Sequence, residues 1–136
     1  MRLIVDTNRL IAATLRDSSS RRVLLCDKFE FYAPTLAREE LFRHRLELLE
    51  KSGLPRARFY LGLRLVLSRV RLVDGVESLP VFQLAERIMK PIDVDDAPFV
   101  ALSLSTVADG IWTEDRHFEK QDVVRVWKTA DLLGLI

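Results

Sequence analysis

Short strand-like runs at 2–6, 29–33, 72–73, 111–113 and 123–127 alternate with stretches of helical apolar spacing. A chain that runs strand, helix, helix, strand, helices, strand, helix builds a parallel sheet covered on both faces. The expected class is therefore α/β, with a central parallel sheet of four to five strands. Local signals place the helices. Ser18, Ser19 and Ser20 suit the cap of a helix at 21–28. Pro34-Thr35 stops the second strand and opens a long helix at 36–51. Gly53 and Pro55 then precede a second long helix reaching about residue 69, so that 35–70 reads as a helical hairpin. Further helices are expected at 10–15, 81–89, 93–107 and 129–133, the last capped by Thr129. Pro98 is tolerable because it falls in the first turn of its helix, where backbone donors lack partners. No repeat, low-complexity segment or linker interrupts the pattern, and 1–136 reads as a single domain.

Composition excludes several classes. With 49% apolar and 30% charged residues the chain is a compact globule, large enough to bury a core without a disulfide framework or structural zinc. Its single cysteine, Cys26, excludes an intrachain disulfide and any CxxC site and suits a reducing compartment. No apolar run approaches the roughly 18 residues of a membrane span, and Met1-Arg2 leads into Leu3-Ile4-Val5 without a signal-peptide core. A cytoplasmic protein is expected. The net charge of +1 is unevenly spread, with nine basic and four acidic side chains in 38–71 but six basic and twelve acidic in 72–136. That split resembles a basic surface beside an acidic pocket.

In an open parallel sheet, chemistry gathers outside the carboxyl ends of the strands. Asp6 closes the first strand, Asp115 follows the fourth by two residues, Asp96 begins the helix leading into that strand, and Glu40 sits in the first turns of the helix after the second. At about 100° per residue, Glu40 flanks the stripe Ala37, Leu41, His44, Leu48 while Glu39 faces water, and Asp96 aligns with Val100 and Ser103 while Asp95 does not. His44, in that stripe, reads as a packed histidine. Each acid alone has an ordinary explanation: Asp6 and Asp96 as helix caps, Asp115 as a turn residue, Glu40 as a partner of His44. Four carboxylates converging on one sheet end, however, repel one another unless cations neutralise them. Oxygen-only ligands without His or Cys point to Mg2+ or Mn2+ rather than zinc.

The segments Val5-Asp6-Thr7-Asn8, Pro34-Thr35 with Glu40-Leu41, Asp96-Ala97-Pro98-Phe99-Val100-Ala101 and Trp112-Thr113-Glu114-Asp115-Arg116-His117-Phe118 together resemble, in that order, the motifs of the PIN-domain nucleases, including VapC-like toxins. The resemblance implies a PIN-like fold and Mg2+- or Mn2+-dependent hydrolysis of RNA to a 5′-phosphate and a 3′-hydroxyl. Asp6, Glu40, Asp96 and Asp115 take the catalytic, metal-holding positions, and Thr7, Asn8 and Thr113 the small polar positions that bind the carboxylates or the phosphate. It also implies a homodimer and a small antitoxin partner. The arginines of 38–71, Arg38, Arg43 and Arg45 among them, would carry the nucleic-acid backbone. His117 stands where many relatives have another Asp and is grouped with the substrate-binding residues. The rival within the fold is a non-catalytic RNA-binding or scaffold subunit. A haloacid-dehalogenase-type phosphatase needs a second Asp where Asn8 stands, and the acceptor Asp and distant Lys of a receiver domain are not found.

Overall fold

The computed structural model describes residues 1–15 and 18–136, the side chain of residue 18 excepted. Five parallel strands, β1 (Arg2–Val5), β2 (Glu30–Pro34), β3 (Val70–Val73), β4 (Gly110–Trp112) and β5 (Val126–Trp127), form one sheet in the order β3-β2-β1-β4-β5. β1 is central: Leu3 pairs with Phe31 on one side and Gly110 on the other. Its Leu-Ile-Val run is wholly buried, as a parallel strand covered on both faces requires.

From β1 the chain passes through α1 (Thr7–Thr14) and α2 (Ser18–Leu24) to β2, then through α3 (Thr35–Arg43), α4 (Arg45–Ser52) and α5 (Arg56–Ser68) to β3. It then crosses back over the sheet through α6 (Phe82–Met89) and α7 (Ala97–Ser105) to β4, and ends in β5 and α8 (Thr129–Leu133). Right-handed crossovers in opposite directions put the two helix sets on opposite faces. Accordingly α1 packs on α2, α3 and α5, while α6 packs on α7, which lies against β1, β2 and β4. α7 is buried from Ala97 through Ser103, and the ring of Trp112 in β4 packs tilted by 41° against that of Phe31 in β2, centroids 5.3 Å apart. Gly110 opens β4 with φ +148, and a Cβ there would strike the Arg125 carbonyl and the Trp127 ring. Among the described residues, no helix is long and apolar enough to cross a membrane.

The expected α/β architecture is present, with several boundaries displaced. The stretch 36–51 is two helices, broken at His44 (φ −100, ψ 9), where the Arg45 guanidinium takes the Phe42 carbonyl at 2.8 Å. Residues 35–70 are therefore three helices instead of a hairpin, and His44 is turned out of the stripe to become exposed. The serines lie inside α2, which ends at Leu24, and the capping position before it is outside the described residues. α1 starts at Thr7, three residues before the expected start. β5 is shorter than 123–127 because the Gln121 amide holds that loop: Oε1 accepts from the N–H groups of Val123 and Val124, and Nε2 donates to the Phe118 and Val124 carbonyls. Thr129 does not cap α8; Asp131 Oδ2 accepts from the Lys128 N–H at 2.9 Å instead. A 3-10 turn (Val94–Asp96) precedes α7, with Pro98 in the first turn of that helix. Past its end, Val107 sits at φ 51 and is 85% exposed, while the Ala108 N–H reaches back to the Ser103 carbonyl.

Candidate functional site

The chain leaves β1 toward β2 on one side and reaches β4 on the other, so the carboxyl ends of β1 and β4 border the crevice where strand order reverses. Asp6 stands at the first of these ends, in extended backbone (φ −70, ψ 142) at the N-cap of α1, and is 6% exposed. An aspartate in that place ordinarily accepts an N–H from its own helix. This one makes no capping bond. Its Oδ2 accepts instead from Thr113 Oγ1, just past β4, at 2.8 Å. Thr113 is fully buried, and the same hydroxyl oxygen accepts the Asp115 N–H at 2.9 Å, while Asp115 Oδ1 accepts the His117 N–H at 2.9 Å. Asp6 and Asp115, distant in sequence, are thus held by one hydroxyl.

Asp96 repeats the anomaly. It occupies the N-cap of α7 without capping it, and its Oδ2 is buried with no partner. Such an orphan acceptor costs about 1–3 kcal/mol. Because α7 is buried along most of its length, the helix cannot slide to relieve it. Capping therefore does not account for Asp6 or Asp96, whereas Asp115 does cap the 3-10 turn Arg116–Lys120. Glu40 is half-buried and Glu39 exposed, as the helical phase predicts. Beside Glu40, the buried Thr7 hydroxyl eases its ionisation yet has no partner of hydrogen-bond geometry.

The carboxylates feel one another. Burial pushes Asp96 from 3.8 up to about 7, with further upward pressure from Asp93, Asp6, Asp115 and Glu40. Burial also raises Asp6 against the pull of the Thr113 hydrogen bond, and Asp115 adds to the rise; the Asn8 N–H exerts a smaller pull, short of a capping bond. Glu40 is raised by burial and then by Asp6, opposed by Thr7, Arg43 and His44. The structure thus brings Asp6, Glu40, Asp96 and Asp115 into one electrostatic neighbourhood.

Glu40 and Asp96 open onto a cleft of about 540 Å³ that Arg43, His44, Asp95 and Pro98 also line. Of the other residues singled out from the sequence, Asn8 is exposed in the first turn of α1, Arg38 is exposed on α3, and Arg45 holds the break after α3. Arg69, at the far end of the basic stretch, donates to the Leu24 and Cys26 carbonyls and to Asp27. Two residues at the site were missed. His44 reaches the cleft only because the helix breaks there. Asp93 approaches Asp96 and His117 so that one ligand atom from each lies within 4.8 Å of the others. The Asp-x-x-Asp spacing was its one signal, because a turn of three residues per revolution stacks such a pair.

An oxygen-rich donor set with mutual repulsion and an unpartnered carboxylate oxygen fits a hard divalent cation. No similar protein is found among the curated proteins. A family model described as PIN domain matches residues 4–133. That span reaches all five strands and every carboxylate of the cleft, and the chain belongs to the PIN-domain family, a family of metal-dependent nucleases.

Proposed function

We propose that this protein is a divalent-metal-dependent endoribonuclease. The observation that carries the reading is the pair Asp6 and Asp96: both stand at helix N-caps, and both withhold their carboxylates from their own helices in favour of a shared, mutually repulsive cluster. Asp6, Glu40, Asp96 and Asp115 would hold Mg2+ or Mn2+, which when bound lowers the pKa of a water and offsets charge on a phosphodiester. Thr113 fixes the orientation of Asp6 and ties it to Asp115. Arg43, on the cleft wall, supplies a cation for the RNA backbone, with Arg38 further out on the same helix and Asn8 and His117 flanking the acids. Thr7, buried beside Glu40, supports that carboxylate in the ionised form. No nucleophilic side chain is required, because water attacks.

The further reading as the toxin of a toxin–antitoxin pair, homodimeric and held by a small antitoxin in the cytoplasm, follows the resemblance to VapC-like proteins. It is tested by growth arrest on expression and its relief by the neighbouring reading frame. For the nuclease itself, purified Asp6→Asn should lose Mn2+-dependent cleavage of a single-stranded RNA while keeping its circular dichroism spectrum. A single-stranded DNA of the same sequence should be cut poorly by the unaltered protein. Undiminished RNA cleavage by Asp6→Asn would overturn the proposal and favour a non-catalytic RNA-binding or scaffold subunit.

A further inference from the structure

We propose that Glu114 is a positioning residue: its carboxylate, bonded to the start of α8, fixes the loop that carries Asp115 and so sets how tightly the four acids hold a divalent cation. The proposal rests on the nuclease reading, because the ion concerned is the one that reading puts among those acids. Glu114 stands between Thr113, whose hydroxyl meets Asp6 and the Asp115 N–H, and Asp115 itself. It is turned to a different partner. Its Oε1 accepts the Thr129 N–H at 2.7 Å, and its charge is not among the leading influences on Asp6, Glu40 or Asp96. An acid beside the cluster that contributes so little to its field acts through the backbone it holds.

The partner is firmly placed. Thr129 is 8% exposed, and as the first residue of α8 its N–H has no acceptor within the helix. A carboxylate satisfies such a donor with a charge-assisted bond, and 2.7 Å is at the short end for one. The Thr129 hydroxyl in turn accepts from Trp112 Nε1 at 3.0 Å, and Trp112 is fully buried in β4, the strand from which the loop departs. One residue earlier, Lys128 Nζ pairs with Glu119 at 3.0 Å. Residues 113–119 are thus held from two sides, by the Thr113 hydroxyl toward Asp6 and by Glu114 and Glu119 toward the opening of α8. Loss of the Glu114 acceptor frees the peptide just before Asp115 and strands a buried N–H.

The test compares Glu114→Gln, which keeps the acceptor oxygen without its charge, with Glu114→Met, which keeps the length and removes both. In calorimetric titration of the metal-free proteins with Mg2+ and Mn2+, Glu114→Gln should bind within about twofold of the unaltered protein and Glu114→Met about tenfold or more weakly, as expected when a group that orients a ligand is lost. Linkage is reciprocal, so Mg2+ should slow hydrogen exchange at the Thr129 amide, and more than at Leu132 further along α8, in the unaltered protein and in Glu114→Gln. A carboxylate that only caps α8 would leave Thr129 no more responsive than Leu132. Should Glu114→Met not fold, this exchange measurement decides alone. Unchanged affinities in Glu114→Met, equal losses in both variants, or a Thr129 amide that follows Leu132 would overturn the positioning role and leave the nuclease reading standing. Failure of the unaltered protein to bind either cation would overturn both.

Discussion

Removing the charge of Asp96 should make the metal-free protein more stable. The folded chain retains the Asp96 proton up to about pH 7, whereas the unfolded chain releases it near its ordinary value of 3.8. Between those values the folded state binds more protons, so stability falls as pH rises through the window and stays lower above it. Taken at face value, the displacement corresponds to about 4 kcal/mol at 1.36 kcal/mol per pH unit. Asp96 is only half-buried, and water screening reduces this to on the order of 1–2 kcal/mol. Asp96→Asn keeps the shape and removes the charge. Urea unfolding in EDTA should therefore show Asp96→Asn equal to the unaltered protein near pH 4 and about 1–2 kcal/mol more stable at pH 8. Asp6 and Glu40, also raised, leave a residual slope common to both proteins. Saturating Mn2+ should reverse the order, since ligand at a hundred times its dissociation constant adds about 2.7 kcal/mol to whichever protein binds it. Equal stabilities at pH 8 without metal would refute the electrostatic account of the cleft.

Three further outcomes are expected. Thr113→Val removes the hydroxyl that bridges Asp6 and Asp115 with little change of volume; it should cost about 1–3 kcal/mol in thermal or urea unfolding and reduce RNA cleavage, while Thr113→Ser restores both. Neutralising Arg38 and Arg43 together should weaken RNA binding and flatten its logarithmic salt dependence by about 0.7 per lost phosphate contact, read by fluorescence anisotropy over a salt series. Val107→Gly should stabilise by about 0.5–1 kcal/mol in calorimetric melting, because a β-branched residue at φ 51 is strained and this exposed one has little packing to lose.

Period and punctuation made the sheet and its acids legible. β1 and β2 carry apolar runs, and the acids closing β1 and opening α7 could be placed by strand ends and helical phase, so Glu40 was separated from Glu39 and Asp96 from Asp95. Failures arose where a side chain acts on distant backbone. No glycine or proline marks the break at His44; the Arg45 guanidinium, bonded to the Phe42 carbonyl, accompanies it. Gln121 removes Val123 and Val124 from a run that reads as strand, using an amide that propensity ignores. Asp93 carried only the faint signal of its spacing from Asp96, because His117 meets it only after β4 docks and contacts between segments leave little trace in local pattern.

The bridging hydroxyl of Thr113 has a consequence for timing. Asp6 precedes by 107 residues the hydroxyl that orients it, and the strand beside it is β4. A nascent polypeptide ending before Gly110 carries Asp6, Glu40 and Asp96 but lacks β4, Thr113 and Asp115. Such a chain lacks the strand that pairs with β1 on this side and one of the four acids. The carboxylate cluster is thus complete only once β4 and the turn that follows it have been made.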